Sequence, residues 1–243
     1  NESDIDVEAM NLLSLDLPPN MIDPDVILAK FEGIPWLDYR AGWSGRRIHQ
    51  SDMPDYGKDM SIWIGRLAQL LILDIPADKK TRAIRCLGQL AIDFLGCALG
   101  YEGHLWHNDG VHASGRAWPL AMGDVMFGGE RFSKVCAEKR FGEKDQTYWQ
   151  NNGEAGWGII HATDPSKTNE ASMSSSYQQC CTAVSWSGWA LAMEHMNLWD
   201  HFQDDDPGAV RAYTKRYVEH PEVAEHYRFA ANFERSMWEL YGY

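Results

Sequence analysis

Apolar residues recur at helical spacing along most of the chain. In the stretch 57–74 they stand at positions i, i+3, i+4 and i+7, which predicts a helix with an inner face of Ile64, Leu67, Ala68 and Leu71. Pro76 ends this helix, and Asp78 is a suitable N-cap for the next one. The second helix extends to about Leu99, has Gly100 as its C-cap, and is apolar on more than one side. We therefore expect it to be buried.

Five more helices are predicted from the same periodicity and from turn residues. Asp206 and Pro207, an N-cap residue followed by proline, predict a helix that runs through Tyr217. The other four helices are predicted at 119–127, 130–139, 176–197 and 223–240. The last of these carries the cleanest amphipathic stripe in the chain.

These elements predict a mostly α protein of about six or seven helices. Residues 1–35 are acidic and broken by prolines, so we expect an irregular arm with one short helix near 24–32, packed through its leucines. Residues 36–243 are expected to form a single α-helical domain of antiparallel helix pairs, a partial (α/α)-toroid-like array. Long loops are predicted at 36–56, 101–118 and 141–176, with a short strand at 156–160.

Charge and composition exclude some partners. The net charge is −13, so nucleic acid is not an expected partner, because phosphate contacts need clustered Lys and Arg. No apolar run reaches the roughly 20 residues of a membrane helix, so no membrane contact is expected. Eleven Trp and ten Tyr are an unusual number, and they predict large core residues together with some flat faces for stacking.

The five cysteines are odd in number and irregularly spaced, which is not typical of a disulfide framework. Cys86 and Cys97 lie in apolar helical runs, and we expect buried free thiols there. The first residue is Asn, so the sequence leaves open a processed leader or a longer protein.

The stretch 101–119 concentrates the candidate chemistry of the chain. It is rich in glycine and lies between two apolar helical segments, and functional groups are typically found on such loops. Its polar candidates are His104, His107, Asn108, Asp109, His112 and Arg116. This composition predicts a site here, formed as a cleft with the neighbouring loops 42–56 and 148–161.

Acid–base chemistry is the first interpretation of these residues. A β-eliminating lyase needs a group that binds the substrate carboxylate, a base and an acid. Asn108 or Arg116 is a candidate for the first role, and His112 or His107 for the base. Tyr56 or Tyr148 is a candidate for the acid, and Asp109 is the remaining catalytic candidate. The alternative is that Asp109 and Arg116 form a structural ion pair.

Other site chemistries remain open. A zinc site at His104, His107 and His112 is a weaker alternative, because their spacing matches no fixed zinc signature. A glycoside hydrolase would instead use two carboxyl groups, for which the candidates are Asp52, Asp55, Glu102, Asp109 and Glu154. No nucleotide-binding glycine motif is present, so no cofactor is expected.

Several motifs resemble those of a group of poorly characterised bacterial proteins, many of them marine or environmental. The resemblance spans roughly 36–217. It rests on Met-Pro-Asp-Tyr-Gly at 53–57, Gly-Gln-Leu-Ala-Ile-Asp at 88–93, Gly-Val-His-Ala-Ser-Gly-Arg-Ala-Trp-Pro at 110–119, Ser-Trp-Ser-Gly at 185–188 and Leu-Trp-Asp-His at 198–201. More loosely, the layout is similar to helical-toroid polysaccharide lyases and glycoside hydrolases, which implies a site on loops at one end of paired helices.

The resulting hypothesis is a carbohydrate-active enzyme, most simply a lyase that acts on an acidic polysaccharide. Substrate contacts are expected from Arg46, Trp43, Trp106, Trp118, Trp157 and His161. Such an enzyme would be secreted or periplasmic. A non-catalytic glycan-binding or self-assembling module is the alternative, and a homo-oligomer that completes the helical ring is a further possibility.

Overall fold

A computed structural model of the chain describes residues 4–33, 56–100, 114–138, 141–157, 183–202, 206–221, 223 and 228–243, with the side chains of 56 and 57 left out. The described residues form nine α-helices and one antiparallel hairpin. The helices are α1 Pro24–Glu32, α2 Tyr56–Ile72, α3 Ala77–Gly100, α4 Ala117–Phe127, α5 Arg131–Glu138, α6 Gly142–Asp145, α7 Ala183–Met196, α8 Ala209–Glu219 and α9 Asn232–Tyr241. The hairpin pairs β1 Thr147–Trp149 with β2 Ala155–Trp157, and a 3-10 turn spans Trp199–His201. The mostly α prediction is thus confirmed.

Helices α2 and α7 form the centre of the described core. Their backbones touch at two glycines, since a Cβ atom on Gly65 would lie 3.2 Å from the Cα atom of Gly188. One end of the contact is fixed by the Ser61 hydroxyl, which donates to the carbonyl oxygen of Ser185 at 2.8 Å. Ser61 meets Ser185, and Gly65, further along α2, meets Gly188, further along α7. The two helices therefore run in the same direction.

The N-terminal arm packs on this core, as its leucines predicted. The backbone N–H of Leu15 donates to the carbonyl oxygen of Ile72 at 2.8 Å, and that of Asp74 donates to the carbonyl oxygen of Leu15 at 2.8 Å. Helix α1 lies against α3, where Arg82 binds Glu32 through two N–H groups. The arm therefore covers the region where α2 ends and α3 begins.

Three predicted helix starts differ in the structure. Asp78 is not an N-cap, because the helical bond from Lys80 N–H to the Pro76 carbonyl places Asp78 inside the first turn of α3. Helix α8 begins after Gly208, whose φ of 79° no side-chain-bearing residue adopts easily, instead of at Asp206. The predicted helix 223–240 is not continuous, because Ala231 is extended and α9 begins at Asn232.

Helix α3 is more apolar than the sequence analysis expected. By length and composition alone it could cross a membrane, and it is the one helix in the described ranges that could. Half of the relevant stretch is buried inside the protein, including Leu87, Leu90 and Phe94. The core helix of a soluble protein passes the same test, so this feature is weak evidence for a membrane span.

The cysteine predictions are met in part. Cys86 is a buried free thiol, and burial raises the pKa of this thiol to about 11. Cys97 is also not part of a disulfide bond, but it is only half-buried, because it stands near the exposed end of α3.

Candidate functional site

The predicted site stretch 101–119 enters the described structure at a tight turn, 114–117, that leads into α4. Gly115 has a φ of 83°, and a Cβ atom there would lie 2.6 Å from the Cα atom of Ser61 on α2. Only glycine fits both the backbone conformation and the space. The predicted site segment is therefore fixed to the core at its C-terminal end.

Two core helices supply polar groups beneath the turn. The Trp186 indole N–H donates to the Ser114 hydroxyl at 3.3 Å, and the Trp189 indole N–H donates to the Ser61 hydroxyl at 3.2 Å. All four side chains are buried. The Ser61 hydroxyl in turn donates to the backbone carbonyl oxygen of Ser185 on α7.

Glu143, on α6, lies fully buried against the same turn. One carboxyl oxygen accepts a hydrogen bond from the backbone N–H of Gly115 at 3.0 Å. The other oxygen has no hydrogen-bond partner among the described residues. Burial raises the pKa of Glu143 from 4.5 to about 7, although nearby backbone N–H groups and the Arg116 charge favour the carboxylate. This carboxyl group can therefore gain or lose a proton near neutral pH.

Arg116 precedes α4, and its side chain is fully buried. Its Nη1 donates to the carbonyl oxygen of Ser114 at 3.4 Å, and its charge lowers the pKa of Glu143. A buried guanidinium supports the turn from inside. Direct contact with a substrate carboxylate, as the sequence suggested, would require this side chain to become exposed.

The hairpin is connected to Glu143 through Thr147. The Thr147 hydroxyl donates to the carbonyl oxygen of Glu143 at 2.8 Å. The next residue, Tyr148, is half-buried and pairs with Gly156 in the hairpin. A Cβ atom on Gly156 would lie 3.0 Å from the Tyr148 Cζ atom, so the phenol ring covers this glycine. The structure thus joins the turn at 114–117 to the strand that carries Tyr148.

Two of the expected stacking residues are core residues in this structure. Trp118 and Trp157 are 0% and 1% exposed, and protein atoms cover both faces of a ring buried to this degree. Trp118 lies on α4, which is buried on all sides, and Trp157 ends the inner strand of the hairpin. A stacking platform needs an exposed ring face, so neither indole is presented to a sugar here.

Many predicted site residues lie outside the described ranges. Only the backbone of Tyr56 is described, as the first residue of α2. The residues that fall in undescribed stretches are Trp43, Arg46, His104, Trp106, His107, Asn108, Asp109, His112 and His161. Within the ranges that are described, no group of three His, Cys, Asp or Glu side chains could hold a metal ion. The residues of the zinc alternative, His104, His107 and His112, lie outside the described ranges.

Sequence reasoning missed Glu143, and it noticed Trp149 without giving it a role. Glu143 lay in a stretch interpreted as loop, and no local pattern indicated that it would be buried. Trp149 is 44% exposed, the one exposed aromatic ring among the side chains the structure describes. Strand alternation does not indicate its exposure, because Thr147 on the same face of β1 is buried. Searches against protein-family models, curated proteins and solved structures found no match for this chain.

Proposed function

We propose that this protein is a carbohydrate-active enzyme, a lyase that cleaves an acidic polysaccharide by β-elimination. The observation that carries the proposal is Glu143. It contacts the turn that ends the histidine-rich segment through Gly115, and it contacts the Tyr148 strand through Thr147. The Glu143 carboxyl group binds the turn, and its backbone carbonyl oxygen accepts a hydrogen bond from the Thr147 hydroxyl group on the strand that carries Tyr148. Two groups of candidate residues, far apart in sequence, thereby contact one buried residue.

In this proposal each group has a distinct task. His112 stands two residues before Ser114 in the sequence, and it removes the proton beside the substrate carboxylate, with His107 as the other candidate. Tyr148, with Tyr56 as the other candidate, protonates the leaving oxygen. Asn108 binds the substrate carboxylate, and Asp109 and Arg116 hold the segment in place.

The helical arrangement supports the same proposal. Consecutive helices α2 and α3 are joined by only four residues and pack on each other. Helices α2 and α7, in contrast, run in the same direction. In an array of antiparallel helix pairs, helices of one layer run in the same direction. We infer a partial (α/α)-toroid-like array with its site at the end where the turn at 114–117 lies.

A glycoside hydrolase is the second candidate, because Glu143 is an acid with a raised pKa. General acids of hydrolases are tuned in this way. The sequence candidate Glu154 is less suited, since its carboxylate binds Arg216 at 3.1 Å. A hydrolase would also require Glu143 to reach the substrate.

The deciding experiment incubates the protein with acidic and neutral polysaccharides and follows two signals. We expect absorbance from unsaturated uronate together with new reducing ends. Reducing ends without that absorbance would identify a hydrolase. In His112→Ala and Tyr148→Phe variants we expect turnover to fall by about 100-fold or more, because each removes a proton-transfer group.

His201→Ala is the matched control. His201 lines a separate surface groove of about 470 Å³ with Asp200 and Glu130. We expect its replacement to leave turnover unchanged. Loss of activity in this variant, with His112→Ala fully active, would move the site to the groove and overturn the assignment.

A further inference from the structure

Trp149 is the one exposed aromatic ring among the side chains that the structure describes. Aromatic residues elsewhere in the described core bury at least part of their rings between helices. An indole that is 44% exposed leaves apolar ring surface in water, which is unfavourable unless something covers it. Such a ring is suited to contact the apolar face of a sugar.

The Trp149 ring is also held in place. Its indole N–H donates to the carbonyl oxygen of Pro207 at 3.1 Å. Its backbone N–H donates to the Asp206 carboxylate at 3.4 Å, and Gly208 approaches the ring edge at 3.9 Å from a Cβ position. A fixed ring binds with a smaller loss of conformational entropy than a mobile one.

The position of Trp149 relates it to the candidate site. It lies two residues after Thr147 on β1, so both side chains are on the same face of the strand, about 7 Å apart along it. The Thr147 hydroxyl donates to the backbone carbonyl oxygen of Glu143. The indole therefore lies on the strand that directly follows α6, the helix that carries the buried Glu143.

Charges near the ring select the kind of sugar. The Asp206 carboxylate lies directly beside Trp149. Arg216 contacts Ala155, the residue paired with Trp149 in the hairpin, but it is occupied by Glu154 at 3.1 Å and by the Ala155 carbonyl oxygen at 2.6 Å. An anionic sugar would be repelled at this position, whereas an uncharged pyranose would not.

We propose that Trp149 is a stacking subsite for an uncharged pyranose ring of the polysaccharide chain. This inference rests on the proposed function, because it assumes a glycan ligand. The subsite would hold a neutral sugar outside the site where the acidic residue is cleaved. The polysaccharide would then contain both neutral and acidic sugars.

The test measures binding without needing turnover. Affinity electrophoresis in gels that contain a neutral galactan, a neutral glucan or a polyuronate compares the native protein with Trp149→Ala, Trp149→Phe and the control Leu240→Ala. Leu240 is 52% exposed on α9, so its replacement also removes an exposed apolar side chain. We expect Trp149→Ala to weaken binding to a neutral glycan by about tenfold, and Trp149→Phe to retain most of it.

Several outcomes would overturn the subsite: no retardation by either neutral glycan, equal losses in Trp149→Ala and Leu240→Ala, or a Trp149-dependent affinity for the polyuronate alone. If Trp149→Ala does not fold, the indole N–H resonance of Trp149 in the native protein, identified with Trp149→Phe, must shift when the neutral glycan is added. A resonance that stays in place overturns the subsite too.

The subsite and the proposed function can fail separately. If no polysaccharide is cleaved but Trp149 still governs glycan binding, the lyase proposal fails and the subsite stands. If the polymer is cleaved and Trp149→Ala leaves both KM and kcat unchanged, the subsite fails and the lyase proposal stands.

Discussion

The carboxyl groups of two regions of this protein lie in opposite environments. At the seam between α1 and α3, Asp25 and Glu32 are solvent-exposed and bind Arg82 and Lys79. Hydrogen bonds from these cations lower the pKa of both acids. Glu143 is buried against the turn at 114–117, and burial raises its pKa to about 7. One region stabilises charge through direct partners, and the other suppresses it.

This difference indicates where chemistry is expected. An exposed ion pair whose partners are all satisfied links two helices and has no proton to exchange near neutral pH. A buried carboxyl group with an oxygen that lacks a described partner is less favourable for folding, and such groups cluster at functional sites. The contrast between the seam and the Glu143 region depends on the packing of the turn at 114–117, on the titration of Glu143, and on the solvent exposure of the seam. Each of these can be altered separately.

The largest expected effect comes from replacing Gly115 by Ala, which attacks the turn itself. The new Cβ atom would lie 2.6 Å from the Ser61 Cα atom, and the residue would keep a φ of 83°. The strain and the clash together should lower the free energy of unfolding by about 2–5 kcal/mol. Urea unfolding measures this directly.

Gly128→Ala is the matched control for that change. Gly128 also has a positive φ, of 74°, but no atom lies within 4 Å of its Cβ position. Its replacement should therefore lower the free energy of unfolding only through the strained backbone conformation, by about 1–2 kcal/mol. Equal losses in the two variants would mean that the contact of the turn with Ser61 is unimportant.

Glu143→Gln gives the next largest effect and sharpens the contrast in titration. Because the folded-state pKa is raised, the folded protein retains a proton between about pH 4.5 and pH 7 that the unfolded chain has lost. Stability should therefore fall as pH rises through this window, by about 3 kcal/mol for a shift of this size. The glutamine variant should lack this slope, while its amide oxygen still accepts the Gly115 N–H.

Unfolding midpoints of the native protein and Glu143→Gln, measured from pH 4 to pH 8, check this expectation. Superimposable curves would show that Glu143 is charged throughout this range. Glu143 would then resemble the seam carboxylates, and the contrast between the two regions would disappear.

The sequence predicted the helices better than it predicted their ends. Periodicity identified α2, α3, α7 and α9, because apolar residues recur at helical spacing in each. The start of α8 was misplaced, because Asp206 and Pro207 form the turn before it and Gly208 precedes the first helical residue. A cap depends on the backbone conformation of one residue, which side-chain pattern does not encode.

The site was predicted in part for a related reason. The turn at 114–117 stood out because glycine, arginine and histidine are concentrated near it. Glu143 did not, since its burial comes from a contact 28 residues away in sequence. Trp118 was taken for a stacking residue on residue type alone. Its setting in α4, where Ala117, Leu120 and Met122 are equally buried, decides against this.

The smallest effect is expected at the seam, where Arg82→Ala removes the cation shared by Asp25 and Glu32. The lowered pKa of these acids means that they stabilise the folded protein above their unfolded-state pKa, near 4, and that this contribution is lost as pH falls further. The pH slope of the seam therefore lies below the window of Glu143 and has the opposite sign. The exposed pairs are screened by solvent, so Arg82→Ala should lower the melting temperature only slightly at neutral pH.

Salt separates the two regions in the same experiment. At about 1 M salt the screening length falls to about 3 Å, so the difference between Arg82→Ala and the native protein should nearly vanish. The slope due to Glu143 should persist, because burial and not an exposed charge pair produces it. A seam variant that stays destabilised in high salt would show that Arg82 acts by packing between α1 and α3. An Arg82→Met variant, which keeps the aliphatic stem, should then restore the stability.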